Sequence, residues 1–117
     1  MTGDNSRVLL IVDDEEGQLE QTLTSFGYKL VVRYEMHAAI DTLQHGNFSA
    51  VFVDDDHMSE DTLEFVLNVR DVDDEVPILV VGGLDDYKRK VLSDRSGVYL
   101  VSDSKKELAA KTSELLQ

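Results

Sequence analysis

The chain alternates between two hydrophobic rhythms. Short apolar runs occur at Val8-Leu9-Leu10-Ile11-Val12, Leu30-Val31-Val32, Ala50-Val51-Phe52-Val53, Ile78-Leu79-Val80-Val81 and Val98-Tyr99-Leu100-Val101. A run of this kind, bounded by polar residues, suits a strand buried on both faces, as in a parallel sheet covered by helices. Between the runs, apolar residues recur at helical spacing. Leu19, Leu23 and Phe26 mark a first helix, with Gly27 just past its end. Ala39, Ile40 and Leu43 mark a second, closed by Gly46, and Leu63, Val66, Leu67 and Arg70 a third. A short fourth helix runs from Asp85 to Leu92 on Val91 and Leu92, and a last one carries Leu108, Thr112, Leu115 and Leu116. Asp61 with Glu64, and Ser104 with Glu107, have the spacing of capping pairs. Asp73-Asp74-Glu75 reads as a solvated loop, Pro77 sits at the edge of the fourth strand, and Ser96-Gly97 turns the chain into the fifth. About ten helical residues span ~15 Å, close to the length of a five-residue strand, as a crossover requires. Five strands alternating with five helices predict a three-layer parallel α/β/α sandwich, with a polar tail over 1–6 and one domain over 7–117.

Composition narrows this picture. At 117 residues the chain suits a single domain, and a domain of this size buries roughly 65% of its unfolded-chain surface. Its 24 acidic residues against 11 basic ones give a net charge of −13, which disfavours direct contact with nucleic acid or an anionic membrane. The absence of cysteine excludes disulfides and thiolate-metal sites. No apolar run approaches the ~18 residues of a transmembrane helix, and Met1 to Ser6 are polar rather than signal-like. The expectation is a soluble cytoplasmic domain. The chain stops at Gln117 directly after a helical pattern, as a module of a longer protein would.

Charge placement is the informative feature. The first apolar run leads into Asp13-Asp14-Glu15-Glu16, and the third into Asp54-Asp55-Asp56. Adjacent carboxylates repel, so a cation, a basic partner or solvation must stabilise them. Open α/β sheets place ligands at the carboxyl ends of their strands. With the first and third strands as neighbours, Asp13, Asp14 and Asp54 converge in one crevice. Such a donor set suits a hard cation, and Mg²⁺ commonly takes one or two carboxylates together with water and phosphate oxygens. A metal there would also let one carboxylate attack a phosphoryl group, by offsetting charge on the transferred oxygens. The plainer alternative is a set of solvated acids at helix starts.

These residues resemble the receiver domain of two-component response regulators over nearly the whole chain. Arg7 through Glu15 is similar to that family's first strand and acidic pair, Phe26-Gly27-Tyr28 to its entry into the second strand, and Val51-Phe52-Val53-Asp54 to the strand ending in the phosphorylated aspartate. Tyr99-Leu100-Val101 resembles the fifth strand with its switch aromatic, Tyr99. The resemblance implies a flavodoxin-like sheet of order 2-1-3-4-5. It further implies Mg²⁺ or Mn²⁺ held by Asp13, Asp14 and Asp54, and a histidine kinase or phosphotransfer protein as phosphoryl donor to Asp54. Such a module is not an enzyme beyond self-catalysed phosphotransfer and dephosphorylation. It implies an output domain C-terminal to the receiver and possible homodimerisation, with the net charge of −13 arguing against DNA or membrane contact by the module itself. Taking Asp54 rather than Asp55 as acceptor aligns Asp61 through Arg70 with the family's third helix without a gap, leaving Asp55 and Asp56 as loop acids.

The departures lie in the switch. Gly82 stands where the family has Thr or Ser, and Ser102-Asp103 where it has Lys-Pro; Met58 replaces the proline after the phosphorylation loop. Losing a lysine contact to a phosphoryl group forfeits roughly 1.5–3 kcal/mol. Lys105 and Lys88 are the nearest candidates to substitute, and Lys88-Arg89-Lys90 otherwise reads as solvating the fourth helix. The rival function is a phosphorylation-independent pseudo-receiver used for dimerisation or docking. Two enzyme readings fit only as fragments: Asp54-Asp55-Asp56 imitates a haloacid-dehalogenase motif, and Glu16-Gly17 with Asp54 and Asp56 a toprim site, each without its surrounding context. His57 offers a loop imidazole to a transition metal, but a histidine in a loop is usually just a polar surface side chain.

Overall fold

Among the described residues five strands and five helices alternate, as the hydrophobic rhythm predicts. The structure, a computed structural model, describes residues 7–11, 18–55, 61–83, 85–102 and 104–116. The strands are β1 (Arg7–Ile11), β2 (Lys29–Arg33), β3 (Ala50–Asp54), β4 (Ile78–Val81) and β5 (Val98–Val101). The helices are α1 (Gln18–Ser25), α2 (Met36–Gln44), α3 (Thr62–Val72), α4 (Asp86–Ser93) and α5 (Lys105–Leu116). All neighbouring strands pair in parallel, in the order β2-β1-β3-β4-β5, which is the order the resemblance implies.

Alternation along the strands builds two cores. Val51, Val53, Ile78, Val80 and Val98 pack with α2, α3 and Leu92 of α4. Ala50, Phe52, Leu79, Val81 and Val101 pack with α1 and α5 through Leu19, Leu23, Leu108 and Leu116. Every residue of β3 and β4 is buried, so their uninterrupted apolar sequence follows from helices covering both faces. Phe52 and Phe65 are the largest fully buried side chains and sit in opposite cores.

Several local expectations are corrected. In α3 the buried residues are Thr62, Phe65, Val66 and Val69, while Leu67 is 37% exposed. Apolar residues in this helix fit two stripes about one position apart, and packing selects the stripe that buries Phe65. In α2 Met36 joins Ala39 and Leu43 in the core, and the helix ends on His45 rather than on a left-handed Gly46. Gly27 and Gly97, with φ of 94° and 77°, do take the left-handed turns expected of them. The Ser104–Glu107 box is replaced by a different bond, because the Ser104 N–H donates to Ser102 Oγ at 3.2 Å. Asp61 caps α3 as expected, accepting from the Leu63 and Glu64 N–H groups at 2.9 and 3.4 Å. Asp73 is more than a solvated acid, since its carboxylate accepts from the N–H groups of Glu75 and Val76 and shapes the turn into β4.

Candidate functional site at the carboxyl edge of the sheet

The strand register gathers the chemistry-bearing positions. Asp54 is the last residue of β3, 5% exposed, and its Cα partner across the sheet is Val81. Val81 pairs in turn with Val101, so Gly82 and Ser102 leave the sheet side by side, one residue beyond. The Gly82 N–H donates to the Val101 carbonyl at 3.2 Å, joining the tips of β4 and β5. On the other flank, Ile11 pairs with Val53, so β1 reaches the same edge. Positions 54, 82 and 102 therefore share one crest. Asp13, Asp14, Asp56, His57, Met58 and Asp103 lie outside the described residues.

Asp54 is a buried acidic residue on the central strand, and the residue is not without an interaction partner within the protein. Its neighbour Asp55 begins the turn that follows. The Asp55 side chain is only 12% exposed, and its Oδ1 accepts from the hydroxyl of the buried Thr62 at the start of α3. The same oxygen lies 3.9 Å from Lys88 Nζ, on the first turn of α4. Asp55, expected to be a loop acid, is thus tied to two helices, and of the two lysines offered as substitutes Lys88 is the one that approaches Asp55 beside the β3 tip. No periodicity announces this pairing.

The switch positions have distinct environments. Gly82 has φ of 137°, in the region that favours glycine, so backbone geometry as well as side-chain chemistry departs from a Thr or Ser tip. Ser102 is half-buried, and its hydroxyl is engaged by the Ser104 N–H. Lys105 is exposed at the start of α5. Tyr99 is half-buried against the α1–α5 core, with Lys111 Nζ of α5 lying 5.5 Å from its ring centroid.

At the opposite edge, Arg70 staples α3 to the entries of β4 and β5. It donates to the carbonyls of Asp73, Val76 and Ser96 at 3.1, 2.8 and 3.1 Å. Burial pulls its pKa below the usual guanidinium range, opposed by the charges of Asp73 and Asp74. It remains the cation at neutral pH. This pole is structural, and it holds the turn at Gly97 against the sheet.

No protein-family model matches the chain, and no curated protein matches it by sequence. Solved structures do match. The chemotaxis response regulator CheY4 of Vibrio cholerae superposes with a TM-score of 0.77 at 19% identity, covering 95% of this chain and 98% of that one. The signal receiver domain of an HD domain-containing protein from Pseudomonas fluorescens gives 0.81 at 17% identity, over 99% and 90% of the two chains. The receiver domain of a sensor histidine kinase from Pseudomonas aeruginosa, described with a magnesium ion coordinated in its active site cleft, gives 0.78 at 18% identity, over 95% and 97%. The chain has the fold of response-regulator receiver domains over nearly its whole length.

Proposed function

We propose that this chain is a signalling receiver module that accepts a phosphoryl group on Asp54. The observation that carries the reading is a nearly buried aspartate ending the fully buried central strand of a receiver fold, at the crest where β1, β3 and β4 finish. The donor would be the phosphohistidine of a histidine kinase or phosphotransfer protein. An Asp54 carboxylate oxygen forms a bond to phosphorus while the phosphorus–nitrogen bond breaks, and the departing imidazole nitrogen keeps the electron pair and takes up a proton.

The donor set suits a hard divalent cation. Asp54 is the oxygen ligand assigned at the crest, and Asp13 and Asp14 are assigned to complete the site. Among the described residues alone, no group of three acidic, histidine or cysteine side chains is assembled to hold a metal, so the assignment depends on that acidic pair. Bound Mg²⁺ or Mn²⁺ would offset the charge on the phosphoryl oxygens. Asp54 supplies the nucleophile, and burial on β3 holds it in a fixed orientation.

Acetyl phosphate or phosphoramidate with Mg²⁺ should add one phosphoryl mass to the intact protein, and Asp54→Asn should abolish the gain. Millimolar Mg²⁺ should raise the melting temperature by binding the native state, and Asp14→Ala should remove that rise. A protein that stays unmodified and whose melt ignores both cations is not a phosphoacceptor. The second reading then applies: a pseudo-receiver that docks or dimerises without phosphorylation. Gly82 and Ser102 favour it, because the first offers no side-chain hydroxyl and the second no cation to a phosphoryl group. A C-terminal output domain belongs to either reading, and a partner kinase to the phosphoacceptor reading alone.

A further inference from the structure

The site has a cation, and it comes from α4. We infer that Lys88 is a latch: in the resting protein it pairs with Asp55, and when Asp54 carries a phosphoryl group it re-pairs with that group and draws the first turn of α4 with it. The inference rests on the phosphoacceptor reading of Asp54 and names the residue that would read the modification.

Three observations lead there. First, the ion pair is loose. Nζ stands 3.9 Å from Oδ1, longer than a charge-assisted hydrogen bond of about 2.7–2.9 Å. The Lys88 side chain is 35% exposed, so solvent already shares its charge. Second, Asp55 does not depend on Lys88. The Thr62 hydroxyl donates to the same oxygen, so the carboxylate keeps a partner when the ammonium leaves. Third, α4 is lightly anchored. Leu92 is its one buried residue, on the last turn, whereas α3 buries four. Near its start, α4 is held by its cap, where Asp85 accepts from the Lys88 N–H at 2.8 Å, and by the Lys88 ion pair itself.

The chemistry gives the direction. A phosphoryl group brings close to two negative charges and three acceptor oxygens to Asp54. Consecutive Cα atoms lie about 3.8 Å apart, so this charge arises one residue from the carboxylate that Lys88 already reaches. A mobile ammonium facing a singly charged carboxylate and a nearly dianionic phosphoryl group favours the latter. Ser102 carries no charge and Lys105 is exposed on α5, so the lysine poised at the β3 tip is the one on α4. A ligand shifts a conformational equilibrium only through its differential contacts, and this exchange supplies one. The loss of the Thr and Lys pair thus moves the readout to α4 instead of abolishing it.

Beryllofluoride with Mg²⁺ serves as the probe, in the full 117-residue chain. Bound beryllofluoride is read by fluorine NMR, the lysine ammonium signals by proton–nitrogen correlation, and the melting temperature of each variant is taken first. We expect the Lys88 ammonium to shift and sharpen on addition. Lys88→Met should weaken beryllofluoride binding about tenfold or more, the scale of one charge-assisted contact, with Lys88→Arg recovering most of it and Lys105→Met changing little. Backbone shifts in the wild type should extend through 85–90 and disappear in Lys88→Met. Beryllofluoride that binds wild type and Lys88→Met equally, with a still Lys88 ammonium, overturns the latch and leaves Asp54 as acceptor. If Lys88→Met fails to fold, the wild-type ammonium signal decides alone. A wild type that shows neither bound fluoride nor phosphoramidate labelling overturns the acceptor reading and the latch together.

Discussion

Threonine or serine ends the fourth strand in the family this chain resembles, and Gly82 withholds that hydroxyl. The backbone explains why a simple restoration is unfavourable. With φ of 137°, position 82 lies where a β-branched residue is strained, at a cost of about 1–3 kcal/mol. Gly82→Thr should therefore lower the melting temperature by several degrees, the response of a domain near this size to such a loss. Thermal unfolding by circular dichroism checks it; an unchanged melt would mean that the tip relaxes to accept a side chain. Arg70 shows a different residue-scale balance. Its burial disfavours the cation in the folded state, a cost present at every pH below its pKa. Because that pKa stays far above neutrality, Arg70 adds no pH dependence in the neutral range.

At the scale of elements, the helices differ in how firmly they are held. α3 is capped by Asp61 and anchored by four buried side chains, and Arg70 ties its last turn to two strand entries. α4 has a capped start and a single buried anchor. Sub-global opening follows buried contacts, so amide hydrogen exchange should be fastest in α4 among the helices that contact β3, β4 or β5, and slowest in β3 and β4. Exchange monitored by mass spectrometry tests this; protection of α4 equal to that of α3 would contradict it. Leu92→Ala, which removes the anchor, should cost about 2–5 kcal/mol if the site cannot collapse.

For the whole molecule, charge is the governing quantity. A net charge of −13 on 117 residues makes self-repulsion appreciable, and it is unfavourable to a polyanionic partner. Raising salt from about 0.02 M to 0.5 M shortens the Debye length severalfold, so the melting temperature should rise. The same charge predicts that this chain alone does not bind duplex DNA at physiological salt. A fluorescence-anisotropy titration that showed such binding would place a nucleic-acid surface on this domain. Among the described residues, no helix is long and apolar enough to cross a membrane.

The order of elements, the parallel α/β architecture and the aspartate ending a buried strand were all legible in the sequence. Each is a local property: a run of β-branched and aliphatic residues, a helical spacing, a carboxylate directly after an apolar segment. Three features emerged only in the tertiary structure. The phase of α3 is one, because two apolar stripes satisfied its period and only packing against the sheet could choose Phe65 over Leu67. The backbone at Gly82 is another, since glycine is compatible with many conformations and its φ of 137° cannot be read from the residue type. The pairing of Lys88 with Asp55 is the third. A loose ion pair between distant segments contributes little free energy and leaves no periodic trace, so it becomes visible only once α4 has packed against the sheet.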